Sequence, residues 1–77
     1  MAEDHHQLLG HFVRARRKAN HLTQKQLGEL AGVGTRFVSE LERGKATVRV
    51  SEVNAVLRVF GRMLGVVDLP REQTHEG

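Results

Sequence analysis

Thr35, Arg36, Ser39 and Glu40 lie within the stretch GVGTRFVSELERGK, residues 32–45, and together they suit one kind of chemistry. At helical spacing, Thr35, Ser39, Arg43, Arg36 and Glu40 fall on one arc, while Phe37, Leu41 and Val38 fall on the other. Glu42 lands at the margin between them. A helix with such a polar ridge is equipped to read base edges in a DNA major groove. Arginine can bond a guanine through two acceptors, the two hydroxyls donate or accept, and glutamate accepts from a cytosine amino group. Glu40 is the discriminating member of the set. Facing phosphates it is repelled, so it needs either a base donor or Arg36, its i,i+4 neighbour. By itself the same ridge is also an ordinary solvated face with one ion pair, so its meaning depends on what holds it.

The flanking chain supplies that support. LLGHFVRARRKA carries Leu9, Phe12 and Val13 at helical spacing and predicts a first helix, broken at ANHL. TQKQLGELA predicts a second, whose start is specified twice. Thr23 and Gln26 have capping-box spacing, and Leu22 and Leu27 stand where a hydrophobic staple packs. Gly32 can turn the chain sharply after Ala31, and the third helix is expected from Thr35 to Arg43, ending at Gly44. Ser51 is the expected cap of a fourth helix bearing Val53, Val56, Leu57 and Phe60 at i, i+3, i+4, i+7, with Gly61 ending it.

The remaining short, β-branched segment, Met63 to Leu69, predicts a strand. A lone strand leaves its backbone groups unpaired. Either it is a loop or it pairs antiparallel with its copy across a two-fold axis. In the paired case Met63, Val67 and Leu69 lie on one face over the helices, and Val66 joins the same dimerisation segment. The domain organisation that follows is a loose terminus over residues 1–7, one domain over 8–69 and a disordered tail over 70–77.

Composition narrows the partners. A chain of 77 residues forms one small domain, without cysteines and therefore without disulfides or thiolate metal sites. No apolar run approaches the ~18 residues of a membrane span and no signal segment opens the chain, so a soluble cytoplasmic protein is expected. Charge is uneven. Residues 8–50 hold nine Lys and Arg against three Glu, a net +6, whereas the rest of the chain is net −3. A basic body of this kind favours a polyanionic partner.

At this point a resemblance becomes specific. LTQKQLGELAGVGTRFVSELERGK resembles the Cro/repressor-type (XRE) helix-turn-helix family, through Thr23, Gln24, Leu27, Gly32, Val33, Val38, Leu41, Glu42 and Gly44. Gly28 departs from the pattern, standing where the family usually has Ala, and Gly34 replaces the usual Ser or Asp cap. The resemblance implies a mainly α, four- to five-helix lambda-repressor-like DNA-binding domain, with a short C-terminal β-strand pairing across a dimer. It also implies an ion pair between Arg17 and Glu42. GVGTRFVSELERGKATV followed by an apolar strand further resembles the HipB-type antitoxins. These regulators dimerise, repress their own operon and bind a HipA-type kinase toxin, and Ala46 stands where they often have proline.

Roles can then be divided. Gln24, at the amino end of the second helix, is the expected phosphate contact, joined electrostatically by Lys25, Arg43 and Lys45. Thr35, Arg36, Ser39 and Glu40 are the expected base readers.

Other chemistries find little footing. His6 and His11 have an unsuitable ligand spacing and His5 adds no cluster, so no metal is expected. Ser39 and Ser51 lack His and Asp partners, and the glycines punctuate helices rather than forming a phosphate loop, so neither catalysis nor a cofactor is expected. The only aromatics are three Phe at core-like positions, which disfavours base stacking on single strands. Two readings remain. One is a dimeric double-stranded-DNA-binding repressor on a palindromic operator, of antitoxin type. The other is a helical interaction domain that docks an acidic protein partner.

Overall fold

The computed structural model describes residues 5–69. Within them lie four helices: α1 (His5–Ala19), α2 (Gln24–Ala31), α3 (Thr35–Glu42) and α4 (Val50–Val59). The expected tail and the first four residues of the expected loose terminus lie outside the described residues. Helix α1 begins at His5, three residues ahead of the stretch that announces it, so residues 5–7 of the expected loose terminus are helical.

One core closes the bundle. Val13 of α1, Leu27 of α2, Val38 and Leu41 of α3, and Val53, Val56 and Leu57 of α4 are buried together. Leu9, Phe12, Leu22, Phe37, Val48, Phe60 and Leu64 pack around this cluster. Helix α3 packs on both α1 and α2, and α2 also packs on α4.

Gly10 shows how close the α1–α3 approach is. A Cβ placed there would sit 2.5 Å from the Leu41 carbonyl oxygen and 2.8 Å from that of Glu42. Backbone, not a flexible side chain, occupies the space, so no larger residue fits without moving a helix.

Local signals account for most helix ends. The Thr23 hydroxyl accepts from the Gln26 N–H at 3.0 Å, and the Gln26 side-chain oxygen accepts from the Thr23 N–H at 2.8 Å. This reciprocal pair is the capping box, and it satisfies two donors that α2 cannot. Gly32 ends α2 in the left-handed conformation, at φ 77°. Helix α1 ends at Ala19, at the expected ANHL break. His21 takes φ 58°, which is unusual for a residue with a side chain, and Leu22 N–H then closes back on the Arg17 carbonyl at 3.0 Å.

Two further boundaries differ from expectation. Helix α3 ends at Glu42, one residue early, with Arg43 as its cap. Ser51 does not cap α4; the helix begins at Val50 after Arg49, which makes no side-chain capping bond. The Val53 N–H takes the Arg49 carbonyl, at 3.0 Å, so the first helical hydrogen bond already spans Ser51.

The largest departure is at the carboxyl end. Among the described residues there is no strand, and residues 62–69 follow α4 without regular structure. The other described residues are helices and turns and offer this segment no edge to pair with. Leu64 holds it to the body: its N–H donates to the Asn54 side-chain oxygen at 2.7 Å, and its side chain packs on the core. The expected face of Met63, Val67 and Leu69 does not lie over the helices. All three are exposed, as is Val66.

Candidate nucleic-acid interface

Helix α2, the turn at Gly32–Gly34 and helix α3 form one unit. The Val33 N–H closes on the Gly28 carbonyl at 2.9 Å, and the chain turns directly into α3. Gly28 lies where the two helices meet. A Cβ there would come within 2.8 Å of the Val33 carbonyl oxygen, so glycine fits this turn and alanine would press on backbone.

Helix α3 is positioned by what it buries. Val38 and Leu41 are fully enclosed and Phe37 partly so. That seating leaves Thr35 and Arg36 exposed, with Ser39 and Glu40 half-buried beside them. Arg43, Lys45 and Lys25 are also exposed. The ridge is therefore held out on a helix whose other side is locked in the core.

Glu42, which the helical arc put at the margin, is inside. Its side chain is 3% exposed and that of Arg17 is 12%. Arg17 Nε donates to Glu42 Oε2 at 2.6 Å and Arg17 Nη2 to Oε1 at 3.0 Å, a two-pronged pair between α1 and the end of α3. Arg17 Nη1 donates to the Leu22 carbonyl at 2.9 Å, and Gln24 Nε2 donates to Glu42 Oε1 at 3.1 Å. Among the described residues no buried side-chain nitrogen or oxygen lacks a partner. The hydrogen bond to Glu42 raises the Arg17 pKa above its usual value, against the opposing pull of burial.

This network places Gln24 differently from a free phosphate ligand. Its side-chain amide is turned inward onto Glu42, while its backbone N–H stands in the first turn of α2, where helical N–H groups have no intrahelical acceptor.

A second set of charges stands on the surface of the ridge. Arg36 Nε donates to Glu40 Oε2 at 3.2 Å, and Lys45 Nζ donates to Glu40 Oε1 at 3.3 Å. The Lys45 bond, more than the Arg36 bond, holds the Glu40 carboxyl below its usual pKa against partial desolvation. The spacing of Lys45 hid this contact, because i,i+5 is not a helical neighbour. Gly44, at φ 85°, folds the chain back so that the Lys45 N–H reaches the Glu40 carbonyl at 3.0 Å. The side chain then lies over the last turn of α3.

The expected dimerisation residues do not join this site. Met63, Val66, Val67 and Leu69 belong to the exposed segment beyond α4. Among the described residues no group of His, Asp or Glu is arranged to hold a metal, and no helix is long and apolar enough to cross a membrane.

A fold of this order, with an outward polar ridge on its third helix, defines a class. The profile of the helix-turn-helix domain family matches residues 8–69, and the chain belongs to that family. It is 39% identical over 59 residues to the uncharacterized HTH-type transcriptional regulator y4mF of Sinorhizobium fredii, covering 77% of this chain and 78% of that one. It is also 37% identical over 60 residues to an uncharacterized HTH-type transcriptional regulator of Mycobacterium tuberculosis, covering 74% of this chain. The match takes in only 43% of the mycobacterial protein.

Proposed function

We propose that this chain is a sequence-specific, double-stranded-DNA-binding transcriptional repressor, a cytoplasmic binding protein rather than an enzyme. The observation that carries the reading is the ridge of α3. Thr35 and Arg36 are exposed, with Ser39 and Glu40 half-buried beside them, on a helix whose opposite side seats Val38 and Leu41 in the core. The regulators to which the chain is similar support the same reading. In it, the ridge enters the major groove, with Arg36 on a guanine and Glu40 on a cytosine amino group. Lys25, Arg43 and Lys45 meet phosphates, and Gln24 contributes its first-turn N–H to a phosphate at the amino end of α2.

The repressor acts as a homodimer on a palindromic operator. Residues 63–69 of two copies pair antiparallel, gathering the exposed Met63, Val67 and Leu69 on one face, with Val66 in the same segment on the other. Two α3 helices then stand about one DNA turn, ~34 Å, apart. The GTRF…LERGK likeness to HipB-type antitoxins extends the proposal to an operon that this protein represses and to a HipA-type kinase that it binds.

Salt-dependent binding to duplex DNA tests the core of the reading. Affinity for a randomised duplex is expected to fall steeply between about 50 and 200 mM salt. A protein that ignores duplex DNA at both concentrations would instead fit a docking domain for an acidic protein. Sedimentation at micromolar concentration tests the dimer, and a monomer there removes the shared sheet. Co-expression with a HipA-type kinase encoded beside this chain tests the antitoxin role, which falls if no complex forms and growth is not rescued.

A further inference from the structure

We infer that Glu40 sets the ratio of specific to non-specific DNA binding, by holding Arg36 and Lys45 to itself on wrong sequences and releasing both on the right one. This rests on the DNA-reading role proposed for α3.

Three observations lead there. One carboxylate receives two cations, Arg36 on one oxygen at 3.2 Å and Lys45 on the other at 3.3 Å. Both cations belong to the set expected to meet DNA, one at a base and one at a phosphate. The cations can exchange partners from their own side, since the Arg36 side chain is 89% exposed and that of Lys45 47%, while the Glu40 side chain they share keeps 19%. Pairs this wet are worth little and give way to a better partner.

A carboxylate on a DNA-facing ridge opposes binding unless it is neutralised or finds a donor. Against a random sequence the donor is missing, so Glu40 keeps its two cations and the cluster offers DNA one net positive charge instead of two free ones. Against a sequence that presents a cytosine amino group, Glu40 accepts from that base. Lys45 then turns to a phosphate, and Arg36 to a guanine. Binding energy from both cations becomes available only where the base is correct. The clamp therefore subtracts from non-specific affinity, which is the competitor that matters on a genome.

The test compares Glu40→Gln with the unsubstituted protein on two probes. One is the duplex that the unsubstituted protein selects from a randomised 20-base-pair pool; the other is sonicated heterologous duplex. Glu29→Gln, on α2 and with no hydrogen bond or ion pair to Arg36 or Lys45, makes the same charge change and serves as the control. Glu40→Gln is expected to raise affinity for heterologous DNA several-fold more than the control does. Its salt slope there steepens by about one, the value for one added phosphate contact. Affinity for the selected duplex falls at least about fivefold, the loss of one base contact. Adding Lys45→Ala to Glu40→Gln is expected to return the slope on heterologous DNA to that of the unsubstituted protein. Glu40→Gln matching the control on both probes would overturn the inference and leave DNA binding standing. A protein that selects no sequence and shows no salt-dependent binding would overturn the DNA reading itself, and this inference with it.

Discussion

Helix α3 carries two carboxylates two residues apart, and their fates diverge. Glu42 is buried with Arg17 in a two-pronged pair that also holds Gln24. Glu40 sits at the surface, shared between Arg36 and Lys45 through single, longer bonds. The residue types are alike, so the difference is one of solvent. A desolvated pair cannot exchange partners without leaving a charge stranded, and so it locks α3 onto α1. A wetted pair costs little to open, which fits the DNA contacts proposed for Arg36 and Lys45. One helix thus uses the same chemistry once as a fastening and once as an exchangeable contact.

The sharpest way to break this contrast is Glu42→Gln. Stranding the Arg17 charge is expected to cost about 3 kcal/mol, a fall in Tm of more than ~10 °C for a domain of this size. Replacing both partners, Arg17→Met with Glu42→Leu, is expected to recover much of that stability. A Glu42→Gln midpoint within ~1 kcal/mol of the unsubstituted protein would place the two pairs in the same class.

The α1–α3 fastening can be probed next from the backbone side. Gly10→Ala is expected to cost ~1–3 kcal/mol, because the added methyl meets the Leu41 and Glu42 carbonyls. Helix propensity alone runs the other way, favouring alanine by up to ~1 kcal/mol. A stabilised Gly10→Ala protein in urea titration would mean that α1 can slide away from α3.

Smaller again is the effect at His21, in the loop whose Leu22 carbonyl accepts from Arg17. Its positive φ costs a side-chain-bearing residue ~1 kcal/mol or more. His21→Gly is expected to return part of that, against the greater chain entropy of glycine when unfolded. No gain in the midpoint, or a loss, would show that the His21 side chain itself stabilises the loop.

On the exposed side the expected stability effects are the least. Arg36→Ala and Lys45→Ala each change stability by under ~0.5 kcal/mol. Their signature lies in the titration of Glu40. Its folded pKa is lowered, so its pairs are fully present above the ordinary carboxylate value of about 4.3 and are lost only as pH falls through the lower folded value. NMR titration is expected to place the Glu40 midpoint below that ordinary value. Lys45→Ala is expected to move it back further than Arg36→Ala does. Equal movements would mean that the two cations share the carboxylate evenly.

Some of this was legible in the chain. The Thr23–Gln26 box, the Gly32 stop and the apolar face of α4 follow from rules that act within one or two turns. The ridge and its Arg36–Glu40 neighbours are legible for the same reason, since helical spacing alone brings i and i+4 together. Three features were not legible locally. Periodicity left Glu42 on the boundary, and only docking against α1 decided that it lies inside. Gln24 is a polar residue at a helix start until Glu42 arrives beside it from 18 residues away. Lys45 reaches Glu40 only because a left-handed glycine reverses the chain between them.

The sequence by itself determined where the helices run and which face of each is apolar, because those depend on dihedral preference and spacing along a single segment. Even there its local signals erred by one residue at the end of α3 and by two at the start of α4, and they missed the first turn of α1. The tertiary structure alone decided which charges are fastened and which remain exchangeable. That choice depends on how much water each carboxylate keeps, and the water is removed by residues distant in the chain. For Glu42 the neighbours are Arg17 and Gln24, delivered by other elements; for Glu40 they are Arg36 and Lys45, at the open surface. Residues 63–69 show the same limit from the other side. Their β-branched pattern is local, but a strand exists only when a second backbone supplies the hydrogen bonds, and the described residues of one chain do not supply it.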